Sequence, residues 1–143
     1  MYTKVFIVDS ILKDTMHEKC TLYQTIDIIL KKWTLLILLE LYKSHTGKKR
    51  YLELKNNLPK ITPKILSTRL KELEQEKIIT KKIDTRVFPI KCEYALTESG
   101  KDIIRIIKDI KRWSLRWKIK NNTCAQQDCK ECELWRDNSW DKR

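Results

Sequence analysis

Three of the five cysteines fall close together near the C-terminus, as Cys124-x4-Cys129-x2-Cys132, with Asp128, Glu131 and Glu133 among them. Thiolates at this spacing suit a zinc ion or an iron-sulfur cluster, with a fourth ligand drawn from Cys20 or His17. The two-residue spacing of Cys129 and Cys132 is the specific part of the pattern, and a second such pair is missing. The same thiols could instead switch by forming a disulfide, or the tail could have no special chemistry. A thiol oxidoreductase built on Cys129 and Cys132 would need βαβ surroundings that the sequence does not offer. His17 and His45 have no matching carboxylate or nucleophile motif nearby, so no catalytic centre is legible and the chain is read as a non-enzyme. Trp135 and Trp140, in an otherwise polar tail, suggest packing on something, such as a partner subunit.

A second set of reactive types is cationic. From Thr62 onward, Leu66, Leu70 and Leu73 recur at helical spacing, which leaves Lys64, Ser67, Thr68 and Lys71 outward and Arg69 at the margin. Short hydroxyl side chains flanked by cations suit a helix lying in the major groove of duplex DNA, where Arg can bridge the edge of guanine. Lys81, Lys82, Arg86 and Lys91, in a hairpin just downstream, suit sugar-phosphate or minor-groove contact. Lys48, Lys49 and Arg50 are placed to clamp the phosphate backbone.

The charge distribution supports a polyanionic partner. The net charge is +12, from 31 Lys+Arg against 19 Asp+Glu. Residues 1–42 are balanced at five of each sign, whereas residues 43–91 carry 14 basic and 5 acidic side chains. Residues 101–120 carry 8 against 2, and residues 121–143 carry 4 against 5. Each phosphate neutralised by such a surface releases condensed counterions; a solubilising surface is the alternative. No apolar run is long enough to span a bilayer, Trp33–Leu39 being the longest comparable stretch, and the N-terminus lacks the apolar region of a signal peptide. The protein is therefore read as cytosolic, without a membrane partner.

Two glycines and three prolines imply few loops, and they rule out a Gly-rich phosphate loop. Residues 1–16 are ambiguous between a short strand at Val5–Val8 and a helix through Ile11, Leu12 and Met16. Thr21 is placed as the N-cap of a helix to Leu30. Trp33–Tyr42, apolar nearly all round, reads as a buried helix broken at His45-Thr46-Gly47. Tyr51–Leu58 is a short helix. Thr62 caps the next, with Pro63 in the first helical position, where its missing N–H costs nothing. Ile78–Thr85 and Lys91–Leu96 form a hairpin, with Cys92, Tyr94 and Leu96 inward. Thr97 caps a final long helix whose apolar stripe runs through Ile103, Ile106 or Ile107, Ile110, Trp113 or Ser114, and Trp117. The expected fold is mainly α with a small β-hairpin, a winged helix-turn-helix domain.

The residues now show a resemblance. Lys32-Trp33-Thr34-Leu35-Leu36-Ile37-Leu38, Tyr51-Leu52-Glu53-Leu54, Leu58-Pro59-Lys60-Ile61-Thr62-Pro63 through Leu73-Glu74, and Pro89-Ile90-Lys91-Cys92-Glu93-Tyr94-Ala95-Leu96-Thr97-Glu98-Ser99-Gly100 together resemble the HxlR-type regulators. These are relatives of the MarR winged helix proteins. The likeness covers roughly residues 18–117. It implies a cytosolic prokaryotic transcription regulator that dimerises through its N- and C-terminal helices and sets two recognition helices on a pseudo-palindromic operator. On that resemblance, residues 1–117 form the DNA-binding and dimerisation domain, with helix-turn-helix about 51–76, wing about 78–96 and C-terminal helix about 97–120. Residues 118–143 form a cysteine-rich tail outside the pattern. Cys20 sits where the family often has a redox-active thiol, and a helix N-terminus and Lys19 would stabilise the thiolate that oxidants and electrophiles attack. Cys92 reads as a small core hydrophobe. Lys31 departs from the family's usual glycine. A winged helix used for protein–protein assembly is the alternative function, against which the basic recognition helix and wing argue.

Overall fold

The structure, a computed structural model, describes residues 20–132. The expectations for residues 1–16, His17, Lys19, Trp135 and Trp140 lie outside the described residues. The chain divides into two compact units, Met1–Leu35 and Leu36–Arg143.

In the first unit, α1 spans Thr21–Ile29. Cys20, rather than Thr21, occupies the N-cap position, and its side chain makes no capping hydrogen bond. Leu22, Ile26 and Leu30 form an exposed apolar row at four-residue spacing. The chain then turns, with Thr34 N–H donating to the Lys31 carbonyl at 3.1 Å. The left-handed residue of this turn is Trp33, at φ 79°.

The helix α2, Thr34–Tyr42, runs from the first unit into the second. Its Ile37, Leu38 and Leu41 are buried, as its apolar character requires. Gly47, at φ 75°, supplies the left-handed conformation that ends the connection. The two-residue strand β1 (Lys49–Arg50), α3 (Tyr51–Asn57) and α4 (Pro63–Gln75) follow. The wing strands β2 (Ile79–Asp84) and β3 (Lys91–Leu96) lead to α5 (Glu98–Trp117) and a short α6 (Asn122–Gln126). The sheet is three-stranded and antiparallel in the order β1-β3-β2, one strand more than the expected hairpin. Two residues are too few to show a period-2 pattern; Lys49 and Arg50 become a strand by pairing with Tyr94 and Glu93.

Local capping sets the helix-turn-helix and wing. Thr62 Oγ1 accepts from the Ile65 N–H at 3.2 Å, with Pro63 at the helix start. At the other end of α4, Ile78 N–H reaches the Leu73 carbonyl and Lys77 N–H the Glu74 carbonyl, with Lys77 at φ 57°. This paired closure stops the helix and drops Ile78 beside Leu73, both buried. Thr97 then ties α5 to the same point. Its hydroxyl lies 2.8 and 2.9 Å from the Lys77 and Ile78 carbonyls, and it accepts from Gly100 N–H at 3.2 Å. A Cβ on Gly100 would stand 2.4 Å from the Ile78 carbonyl oxygen, so this close approach requires glycine.

One buried polar cluster interrupts the core of Ile37, Leu38, Leu54, Leu66, Leu70 and Leu73. Glu40, fully buried, accepts on Oε2 from Lys49 Nζ at 2.6 Å and from Asn57 Nδ2 at 2.9 Å. Lys43 Nζ stands 3.6 Å from Oε1. The cluster pins α2 to β1 and α3, because a buried carboxylate is tolerated only with such partners.

Candidate nucleic-acid interface

The α4 helix buries Leu66, Leu70 and Leu73 and presents Thr62, Lys64, Ser67, Thr68 and Lys71 to solvent. Tyr51, at the start of α3, fixes the angle between the two helices. Its hydroxyl donates to the Pro63 carbonyl at 3.2 Å and accepts from Ser67 Oγ at 3.5 Å. Thr68 spends its hydroxyl proton on the Lys64 carbonyl at 2.8 Å, leaving its oxygen as an acceptor. Arg69 is half-buried, with Nη1 2.9 Å from Glu72 Oε2 one turn along, so its guanidinium lies against its own helix.

The wing carries Lys81, Lys82, Arg86 and Lys91, all exposed. Arg86 folds back on Asp84 through Nε at 3.1 Å, and this hydrogen bond holds the Asp84 carboxyl below its ordinary range. Between the strands Phe88 is 99% exposed, with Ile90 beside it. An apolar tip among cations was not anticipated, although Val87-Phe88-Pro89-Ile90 is the longest uncharged run in the wing. Inside the sheet, burial pushes the Tyr94 hydroxyl up to about 12. Tyr94 is thus neutral scaffold.

Lys49 is a correction. It was expected to clamp phosphate, but it is 8% exposed and its ammonium is committed to Glu40. The physical reason is the fully buried carboxylate on α2, which draws in the nearest cation. Arg50, next in sequence, stays exposed, and Lys48 lies 3.7 Å from Glu93. The signal was present as Glu40, the one charge in a helix that is otherwise apolar apart from Thr34 and Tyr42.

The thiols are all free and half-buried. Cys20 stands at the N-cap position of α1, Cys92 lies in β3, and the other three belong to the tail. Burial pushes the Cys129 thiol up, with Lys111 pulling the other way. Among the described residues, no three His, Cys, Asp or Glu side chains gather closely enough to hold a metal ion. Nor is any helix there long and apolar enough to cross a membrane.

A short helix pair joined by a tight turn, an exposed second helix and a basic three-stranded wing define a winged helix-turn-helix protein. The family profile for HxlR-like helix-turn-helix proteins matches residues 28–122, and the chain belongs to that family of transcriptional regulators. It is 34% identical over 101 residues to the uncharacterised HTH-type transcriptional regulator YvaP of Bacillus subtilis, a match covering 70% of this chain and 90% of that one. Among solved structures it resembles the reduced form of the transcriptional regulator YodB of B. subtilis, with TM-score 0.61 and 29% identity over 72% of this chain and 98% of the other. It also resembles the redox regulator HypR in its oxidised form, with TM-score 0.60 and 32% identity over 70% and 99% of the two chains.

Proposed function

We propose that this chain binds duplex DNA in the cytoplasm as a homodimer, each subunit laying α4 in the major groove of a pseudo-palindromic operator. The observation that carries this reading is the division of α4, leucines inward and Lys64, Ser67, Thr68 and Lys71 outward. Lys64 and Lys71 meet phosphates, Ser67 and Thr68 reach base edges, and Arg69 exchanges Glu72 for guanine or phosphate. Lys81, Lys82, Arg86 and Lys91 follow the sugar-phosphate chain beside the minor groove, with Phe88 against the groove wall. Arg50 clamps the backbone on the other side.

The second subunit is argued from α5. Ile106, Ile110, Trp113 and Trp117 form an exposed stripe at three- and four-residue spacing, the pattern by which one helix packs on another. Cys20, at the N-cap of α1, is the thiol through which the regulator responds to oxidants or electrophiles, in keeping with the redox regulator HypR among its structural neighbours.

The test is selection of bound sequences from random duplexes, by wild type and by the double variant Lys64→Ala/Arg69→Ala. Wild type should enrich an inverted repeat, and the variant should keep its fold and assembly but lose the preference. Preference surviving in the variant would put another element in the groove.

A further inference from the structure

The segment beyond the family match docks on the rest of its unit through the Asp128 carboxylate and the Gln127 carbonyl. Asp128 Oδ2 accepts from Lys108 Nζ at 2.7 Å, and Oδ1 accepts from Tyr42 Oη at 3.2 Å and Lys130 N–H at 2.9 Å. Lys108 also donates to Tyr42 Oη at 2.8 Å, and Lys111 Nζ to the Gln127 carbonyl at 2.6 Å. So α2, α5 and the tail meet at a single polar knot. The residues that follow it are folded tightly. Glu131 N–H reaches the Asp128 carbonyl at 3.1 Å, and Cys132 N–H reaches the Cys129 carbonyl at 3.4 Å.

The last of these bonds matters chemically. A closure from residue i to i+3 brings the two Cα atoms within about 7 Å. A disulfide needs a Cα separation of roughly 4.4–6.8 Å. Cys129 and Cys132 are therefore the two ends of one turn, both reduced. Cys124 sits in α6, its N–H held by Asn121 Oδ1 at 2.9 Å. Among the described residues no such closure joins it to the other two. Cys124 lies close enough to act electrostatically on Cys129, but only Cys132 shares a turn with it. Cys129 also lines a cleft of about 340 Å³ between α5 and the tail, walled by Lys108, Lys111, Arg112, Leu115 and Asp128. Lys108 is paired with Asp128 and Arg112 with Asp109 at 2.8 Å, so Lys111, held among the described residues only by the Gln127 carbonyl, leaves the cleft a net positive charge that favours an anionic visitor.

We propose that Cys129 and Cys132 form a thiol–disulfide exchange site, distinct from Cys20, which takes a small carboxylate-bearing disulfide through this cleft and closes into an intrachain disulfide. The Cys129 thiol gives its proton to solvent and its sulfur attacks one sulfur of R–S–S–R. That bond breaks, and one R–S⁻ leaves and is protonated. Cys132, deprotonated in turn, attacks the Cys129 sulfur of the mixed disulfide and expels the second R–S⁻. The protein loses two hydrogens with their electrons, and the small disulfide becomes two thiols. The product locks the turn next to Asp128, in a segment that the family pattern does not include. The site requires no DNA, so it stands or falls separately from the operator reading.

The test uses the full chain as Cys20→Ser, reduced and then exposed to oxidised glutathione, with intact mass and peptide mapping as readouts. The expected product has lost two hydrogens and joins Cys129 to Cys132. Adding Cys132→Ser should arrest the reaction with one glutathione on Cys129, and adding Cys129→Ser should abolish both products. Cystamine, a cationic disulfide, should react about tenfold more slowly at low salt, the gap closing as salt is added. A bond to Cys92 or Cys124, a bond between two chains, glutathione resting on Cys132, or equal rates for the two disulfides would each overturn the proposal. Peptide mapping of the Cys20→Ser chain decides the pairing even if a further serine variant folds poorly.

Discussion

The two halves of α5 have the same kinds of apolar residue and opposite surroundings. Near its start Gly100 is pressed on the Ile78 carbonyl, and Ile103 and Ile104 are 7% and 3% exposed. Further along, Ile110, Trp113 and Trp117 are 46%, 54% and 65% exposed. The first half is finished by its own chain, since the wing and the end of α4 cover it. The second half leaves two tryptophans and an isoleucine exposed within a single chain. The contrast separates what holds the winged helix together from what the proposed dimer would use.

The largest effect that would sharpen this contrast lies in the self-sufficient part. Glu40→Ala strips Lys43 and Lys49 of their counter-charge and should cost about 3–5 kcal/mol in urea unfolding. A loss under about 1 kcal/mol would mean that the cluster does not pin α2 to β1. In the distal half, Trp113→Ala and Trp117→Ala should each weaken self-association by about 2 kcal/mol or more while the fold survives. Sedimentation velocity reads this directly, and unchanged association would break the contrast. Gly100→Ala should lower stability by about 1–3 kcal/mol, because the neighbour that must move is backbone. A thermal midpoint equal to wild type would show that the contact relaxes freely.

The smallest effect is at the tail. The hydrogen bond to Lys108 holds the Asp128 carboxyl below its ordinary value of 3.8, and the bond to Asp128 holds Lys108 above 10.5. The Asp128 contribution is complete above 3.8 and fades as pH falls through its lower folded value. The Lys108 contribution is complete below 10.5 and fades as pH rises through its higher folded value. Both groups are partly exposed, so docking should be nearly flat between these limits and worth less than about 1 kcal/mol. Amide exchange of residues 127–132 across pH checks this; a step near neutrality would contradict it.

Much of the winged helix was legible in the sequence. Thr62-Pro63 with leucines at 66, 70 and 73 dictates α4, its cap and its outward face by local chemistry alone. What escaped depended on distant partners. β1 exists only through Tyr94 and Glu93, and Lys49 turns inward only because Glu40 is buried beside it. The stripe on α5 was read correctly as apolar, yet periodicity cannot tell a face covered by its own chain from one left exposed. The cap of α1 slipped by one residue, from Thr21 to Cys20, because Thr is the better capping type and propensity outweighed position. For the tail, the spacing of Cys129 and Cys132 was visible, but the turn that brings them together was not.

The most direct measurement is equilibrium binding of the full chain to a selected duplex between about 50 and 200 mM salt. A linear fall of log affinity with log salt, at roughly −0.9 per phosphate contacted, is predicted. Lys64→Ala should make that slope shallower by about one. Affinity that ignores salt, or no binding to any duplex, would contradict the account and leave this winged helix an assembly module.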